Sequence, residues 1–344
     1  MKVLYLVPNF DIPRQKGLAR YSYEIYKRIR NKVDVEVIEV YKEKSYLKKI
    51  CNVFLLSQIK QFLSGADVIH ALIPEPGFLF KLFSKIKKAK TIVTYHDTFP
   101  LKYSEELKYR FKEILKLYIL FTWKLASKAD FVVANSTQTA KEINKIFGRK
   151  ADIIIPPGID KRFRPKKVKK DKITLGFFAN FSYRKGLDKA VEVFKIVKQK
   201  YDVKLIIAGG SLKSLYQREF NLFELTKGLK DVEILGEVPE EKIVDLYNSF
   251  DFYLFPSLIE GFGIPIIESM ACGVPVLVFE WAKIPKEVTE KAIKCKDVKD
   301  MAEKIMYLIE NRDEYLKIRR EGIKYAKKFD WDKSAKMYLE LYEK

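Results

Sequence analysis

Cysteine and histidine are nearly missing from this 344-residue chain. The three cysteines, Cys51, Cys272 and Cys295, stand far apart, and none belongs to a CxxC pair. That count excludes a disulfide framework, and with only two histidines a structural zinc site lacks a ligand set. Such a composition fits a reduced, intracellular protein. Long hydrophobic runs are missing as well. Spanning a bilayer takes about 20 apolar residues. The longest apolar region, 250–279, is interrupted by Asp251, Glu260, Glu268 and three prolines. The apolar stretch 3–7 is too short for a signal peptide and has no small-residue cleavage pattern, so it reads as a buried first strand. The expectation is a protein that is soluble or held at a membrane surface.

Acidic residues are in deficit: 45 Asp and Glu face 66 Lys and Arg, a net charge of +21. A basic chain attracts phosphate in nucleic acid, anionic lipid or nucleotide-linked substrates. A Lys-rich surface can equally be a general property of a proteome, so charge alone leaves the partner open. Hydrophobic residues make up 48% of the chain, too many for disorder. The length exceeds what one core usually supports and implies two domains.

Short β-branched runs alternate with longer helical patterns. Strands are predicted at 3–7, 33–40, 68–72, 91–95, 131–134 and 152–155, with helices near 18–30, 46–63, 78–87, 105–127 and 137–147. The pattern then restarts, with strands at 173–178, 203–208, 232–235, 252–255 and 274–279. Its helices fall at 187–201, 211–227, 240–249, 264–272 and 299–310. From 315 the chain is helical to its end, with Asp330 or Asp332 as a cap. Such alternation implies α/β architecture, with two doubly wound parallel sheets covered on both faces. Residues 1–160 are expected as the first domain, 161–172 as an exposed basic linker, 173–326 as the second domain and 327–344 as a terminal helix. In open parallel sheets ligands bind beyond the carboxyl ends of the strands, so functional residues should follow strands.

Four segments occupy such positions. Gly17 precedes a helix after the first strand, where backbone amides can approach an anion. An ordinary turn is the alternative, since no GxGxxG fingerprint is present. His96, in Thr94-Tyr95-His96-Asp97-Thr98, ends the fourth strand and is favoured over His70, which reads as a satisfied core histidine. In Asn180-Phe181-Ser182-Tyr183-Arg184-Lys185-Gly186, two cations and a glycine precede a helix. This is either a phosphate clamp or a solvated turn. The fourth segment, 256–276, is the most specific. Glu260 lies in a Gly-rich loop and Glu268 lies inside an apolar helix, where a lone carboxylate is costly and a ligand hydroxyl would be a good partner. Gly261 and Gly263 leave amides open between them.

The fourth segment resembles the E-x7-E motif of the retaining glycosyltransferases of the GT-B fold, family 4 (glycosyl transferases group 1). Lys185-Gly186 resembles that family's donor phosphate loop. Residues 91–143, with HDxxP at His96 and Ala134-Asn135-Ser136-Thr137, are similar to its N-terminal half. Residues 157–163 resemble its domain-crossing segment, and the helix at Trp331 resembles the one returning to the N-terminal domain.

The resemblance implies two Rossmann-like domains facing a central cleft. It implies a hexosyltransferase that moves a sugar from a GDP- or UDP-sugar to a glycan, lipid-linked or other hydroxyl acceptor, with retention and without metal or other cofactor. Mannosyl transfer is the favoured case. By the same resemblance Glu260 contacts the sugar hydroxyls, Glu268 the ribose and Lys185 the diphosphate. Gly17 approaches the phosphates, and His96 lies against the donor sugar. Amides around residues 263–266 hold sugar or phosphate, Gly261, Phe262, Gly263 and Ile264 are donor-binding, and residues near Gly236 and Val238 border the base. Arg184 stands in for an arginine that many relatives carry near position 180, where this chain has Asn180.

A GT-B-like sugar-nucleotide epimerase or a phosphorylase would share the two-domain cleft, though no signal of the pyridoxal-binding lysine site of known phosphorylases is present. A basic nucleic-acid-binding protein is the reading from another class, but no RRM, KH or helix-turn-helix signature accompanies the charge. Residues 46–63 and 108–128 mix basic and large apolar side chains, which suits either helices lying on an anionic bilayer or helices packed on their own sheet. The expected setting is cytoplasmic, with peripheral contact to an anionic inner membrane face.

Overall fold

The computed structural model describes residues 1–10, 17–41, 52–98, 112–210 and 222–344. The chain forms two compact units, Met1–Gly158 together with Asp330–Lys344, and Ile159–Phe329.

In the first unit, β1 (Lys2–Val7), β2 (Asp34–Glu39), β3 (Val68–Ala71), β4 (Lys90–Tyr95), β5 (Phe131–Ala134) and β6 (Ile153–Ile154) form one sheet in the order β2-β1-β3-β4-β5-β6. Every pairing is parallel. Successive side chains point to opposite faces, so an apolar run buries both. Leu4 and Leu6 join Val53, Phe80, Phe83 and Trp123 on one face. Val3, Tyr5 and Val7 join Tyr21, Ile25, Trp331 and Tyr338 on the other. The helix Trp331–Glu343 therefore completes the core of the first unit, capped by Asp330, which accepts from the Asp332 amide at 2.7 Å. Gly158 is required where the chain leaves this unit, because a Cβ there would lie 2.0 Å from the Trp331 nitrogen.

In the second unit, β7 (Ile173–Phe178), β8 (Val203–Ala208), β9 (Val232–Gly236), β10 (Phe252–Leu254), β11 (Val276–Phe279) and β12 (Ile293–Cys295) pair in parallel in the order β12-β11-β10-β7-β8-β9. Leu175, Phe177, Leu205 and Ile207 meet Val191, Phe194 and Ile305 on one face. Tyr253, Phe255, Val276 and Val278 meet Tyr247, Ile267 and Met270 on the other.

Most expected elements are present with ends shifted by a few residues. β12 was not expected, because a three-residue strand with Lys294 at its centre has no visible alternation. The helix Lys286–Thr289, only four residues long, was likewise not expected. In the stretch expected as helix 46–63, a π turn Asn52–Leu56 leads into the helix Ser57–Leu63. Residues 42–51, 99–111 and 211–221 lie outside the described residues. They include Cys51 and the start of three expected helices, whose described parts are 52–63, Lys112–Ala126 and Leu222–Thr226.

The basic stretch 161–172 belongs to the second unit rather than standing free as a linker. Phe163 is buried, 6.0 Å from the Tyr247 ring. The Lys166 amide donates to Asn248 Oδ1 at 2.6 Å, and Lys170 Nζ pairs with Asp251 at 2.9 Å. One sunken aromatic and these pairings fix a segment whose composition reads as solvated.

Candidate active site

Strand order creates a crevice where neighbouring strands send their connections in opposite directions. In the second sheet that point falls between β7 and β10, since β8 and β9 lie beyond one and β11 and β12 beyond the other. The two loops that follow β7 and β10 carry Arg184, Lys185 and Glu260.

After β7 the chain makes a single 3-10 turn, Tyr183–Lys185, and reverses at Gly186 before the helix Leu187–Lys198. Gly186 has φ +70°, and a Cβ there would lie 2.5 Å from the Pro256 carbonyl oxygen. The glycine thus lets the β7 loop press against the β10 loop. The Leu258 amide donates to the Arg184 carbonyl at 2.9 Å across the same seam. Lys185 Nζ reaches Glu260 Oε1 at 2.5 Å, with both side chains nearly buried, at 13% and 12% exposure. Arg184 Nη1 donates to the Ile259 carbonyl at 2.7 Å and lies 3.8 Å from the same carboxylate oxygen. Burial of either charge alone would be costly, and the pair compensates that cost.

Two contributors to this cluster were not read from the sequence. Ser257 Oγ donates to Glu260 Oε1 at 2.5 Å, and the Lys283 carbonyl accepts the Glu260 amide at 3.0 Å. Ser257, three residues before Glu260, offered a local signal. Lys283 lies beyond β11 and offered none. Glu268 is buried in the helix Ile264–Ala271, and the Tyr247 hydroxyl donates to its Oε2 at 3.1 Å. A partner for this carboxylate was expected from a ligand, yet the protein supplies one itself. Burial, reinforced by the Glu268 charge, raises the Tyr247 phenol well above its ordinary range, so the hydroxyl remains a donor. Burial and the same carboxylate push the Cys272 thiol up to about 12.

Gly263, with φ +99°, opens the Ile264–Ala271 helix, whose first turn holds Pro265, which carries no amide hydrogen, and Ile266, whose amide donates to the Gly263 carbonyl at 3.0 Å. Gly261 precedes it in the same loop, and Phe262 is buried against Phe329 at 5.7 Å. Phe262 is therefore a core residue, and only its backbone can serve a ligand. Gly236 ends β9 with φ +67°, and its carbonyl accepts the Gly209 amide at 2.7 Å. Val238 is partly buried against the core of this unit.

In the first sheet the connections diverge between β1 and β3. Gly17 follows β1 with φ +45° and opens the helix Leu18–Ile29, and among the described residues beyond its chain neighbours and its own helix backbone no atom lies within 4 Å of a Cβ built there. Its neighbours Gln15 and Lys16 lie outside the described residues, as do Phe99 and Pro100 of the HDxxP stretch. His96 follows β4. Its Nε2 lies 2.9 Å from the Leu72 carbonyl, which can only accept, so Nε2 carries the proton and Nδ1 is bare. The ring meets Tyr21 edge-on at 4.6 Å. Burial lowers its pKa to about 4, so His96 is neutral at pH 7.

His70 is a core residue, as expected from its mid-strand position. Its Nδ1 lies 2.7 Å from Tyr342 Oη and its Nε2 2.9 Å from Thr94 Oγ1. The chain continues from Thr94 to Tyr338, Tyr21 and the Ile155 carbonyl, each step 2.9 Å. Because that carbonyl only accepts, every donor must point towards it, which fixes the proton of His70 on Nε2. Tyr342 then donates to Nδ1, and Tyr5 to Tyr342. Burial lowers the His70 pKa to about 3. Among the described residues, no three metal-ligating side chains converge.

Two Rossmann-type parallel α/β units, one with a cation–carboxylate pair at its switch point, define the class. Comparison with known proteins gives the family. Residues 159–329 match the model "Glycosyl transferases group 1", and residues 13–163 match "Glycosyltransferase Family 4". The chain belongs to the GT-B glycosyltransferases of family 4. It is similar to an uncharacterized glycosyltransferase of Methanocaldococcus jannaschii, 24% identical over 100% of this chain and 98% of that one. It is also similar to D-inositol 3-phosphate glycosyltransferase of Nocardia farcinica, 27% identical over 64% of this chain, and spans about half of that relative (53%). Among solved structures, Anabaena HepE in complex with UDP and glucose superposes with a TM-score of 0.75 at 18% identity, over 100% of this chain and 99% of that one.

Proposed function

We propose that this glycosyltransferase moves a hexose, mannose first among the candidates, from a nucleoside-diphosphate sugar to a hydroxyl acceptor, with retention and without metal. The acceptor class is a glycan or a lipid-linked sugar. The observation that carries the reading is the convergence of Lys185 and Glu260 at the switch point of the second sheet. A departing nucleoside diphosphate gains negative charge as the glycosidic bond breaks, and fixed cations and amides aimed at it stabilise that change. Lys185, with Arg184 beside it, is assigned the diphosphate. Glu260, released from Lys185 when phosphate arrives, is assigned the sugar hydroxyls. Glu268 is assigned the ribose, the amides of Gly261, Gly263 and Ile264 the sugar or phosphate, and Gly236 and Val238 the border of the base. In the first unit, His96 is assigned the donor sugar and Gly17 the phosphates. No residue is assigned as a covalent nucleophile. The leaving phosphate oxygen takes the acceptor proton on the face it vacates, which preserves the anomeric configuration. The similarity to a protein solved with UDP and glucose supports a nucleotide-sugar donor. The setting we assign is cytoplasmic, with peripheral contact to membrane.

A thermal-shift panel of nucleotides and nucleotide-sugars, GDP-mannose and UDP-glucose included, should pick out one donor that raises the melting temperature. With that donor, Lys185→Ala should lose roughly a hundredfold in rate, the worth of one transition-state charge contact at about 3 kcal/mol. Near-wild-type turnover, or an NMR-detected inverted product, refutes the mechanism.

A further inference from the structure

Seventeen large hydrophobic side chains are exposed among the described residues, and eleven of them lie on just three segments of the first unit: 52–63, 78–88 and 113–128. All three cover the same face of the sheet, through Val53, Phe80, Phe83, Ile119 and Trp123. They also touch one another. The Phe54 ring is 5.1 Å from Phe78 and 5.4 Å from Tyr118, and Phe62 is 6.4 Å from Phe83. The eleven residues therefore form one surface rather than scattered single exposures.

The helix Ser57–Leu63 and the turn before it are inside out. Their buried side holds Ser57, Gln58 and Gln61, and the two glutamine amides donate to the Pro76 carbonyl at 2.9 and 3.2 Å. Their outer side holds Phe54, Leu55, Leu56, Ile59, Phe62 and Leu63. A helix facing water has the opposite pattern. On the helix Lys112–Ala126, the exposed Ile114, Leu117 and Phe121 share one stripe.

Charge identifies the occupant. The same three segments carry eight lysines and a single acid, Glu113, and every one of these lysines is at least partly exposed. Lys87 Nζ lies 4.1 Å over the Phe62 ring, with its charge at the edge of the apolar surface. Protein interfaces are depleted in lysine at their apolar centres. An apolar face rimmed by ammonium groups complements a lipid leaflet with anionic headgroups. No described helix is long and apolar enough to cross a membrane. We propose that these three helical segments dock the protein peripherally on an anionic membrane, inserting Leu55, Leu56, Phe62, Leu117 and Phe121 among the acyl chains while the lysines meet the phosphates. This surface acts independently of the transfer chemistry.

The test is co-sedimentation of the full chain with vesicles of phosphatidylcholine alone or with 30% phosphatidylglycerol. Binding is expected only to the anionic vesicles, falling steeply from 50 to 500 mM salt, because each lysine near the surface is worth roughly fivefold in affinity. Leu117→Glu/Phe121→Glu, at positions 65% and 59% exposed, should bind at least tenfold more weakly with an unchanged circular dichroism spectrum and melting temperature. Lys85→Glu/Lys87→Glu should weaken binding and flatten its salt dependence. No binding to anionic vesicles at low salt overturns the proposal. So does equal binding by the Leu117/Phe121 variant, or a wild-type dimer in light scattering that this variant converts to monomer without any vesicle binding.

Discussion

Acid should unfold the first unit well before it titrates ordinary carboxylates. The chain has only two histidines, both are in this unit, and burial holds both neutral, with pKa values lowered to about 3 for His70 and about 4 for His96. Unfolded imidazoles titrate near 6.5. As pH falls through 6.5 the unfolded chain binds protons that the folded chain refuses, so stability is unaffected well above pH 7 and declines from there towards pH 4. Each histidine costs roughly 2 kcal/mol at pH 5, about 4 kcal/mol together, a large share of a typical domain's 5–15 kcal/mol. His70 resists protonation for a further reason. A proton on Nδ1 would reverse the Tyr342 hydroxyl and then that of Tyr5. Glu75 acts in the opposite sense, because burial raises its carboxyl above the usual range and the folded state binds its proton more readily. A Glu75→Gln control therefore isolates the histidine contribution. Trp123 and Trp331 are buried in the first unit and Trp281 is exposed in the second, so Trp281→Phe makes fluorescence report on the first unit alone. Urea midpoints in that background should fall steadily from pH 7 to 5, and His96→Asn should halve the slope. A flat midpoint across this range, or an NMR titration of either imidazole near 6.5, refutes the reasoning.

Other outcomes follow from single contacts. Gly186→Ala should cost at least about 2 kcal/mol and most of the activity, from its left-handed φ and the Pro256 carbonyl 2.5 Å from the new Cβ; a normal melting temperature would show that the two loops yield. Tyr247→Phe removes the hydroxyl that donates to Glu268 and should cost about 1–3 kcal/mol while weakening nucleotide binding, both measurable in one calorimeter. Unchanged nucleotide affinity would detach Glu268 from the ribose. Cys272 and Cys295 are buried, with thiols pushed up to about 12, so a thiol reagent at pH 8 should reach both only after unfolding. Modification of either in the native protein, located by mass spectrometry, contradicts their placement.

The parallel sheets were legible because their strands are short β-branched runs flanked by helices, as in Val3–Val7 and Val203–Ala208. The loops proposed to bind the donor stood out because they follow strands and hold residues that a turn does not need, such as Lys185 and Glu260. The ion pair between those two residues was not legible. It is set by the order of β7 and β10 in the sheet, which no local pattern encodes. The Tyr247–Glu268 bond depends in the same way on a helix 21 residues away. Phe163 shows a further limit, because in a run of lysines a lone aromatic gives no sign of whether it anchors the chain or floats beside it.

The crossing points of the chain have a consequence of their own. Ile159 donates its amide to the Phe329 carbonyl at 3.2 Å, and Gly158 lies against the backbone of Trp331. The second unit thus begins and ends at one spot, like a cassette spliced into its host. Such a cassette can be exchanged for that of a relative by two cuts in the gene, leaving the interior of the host unbroken.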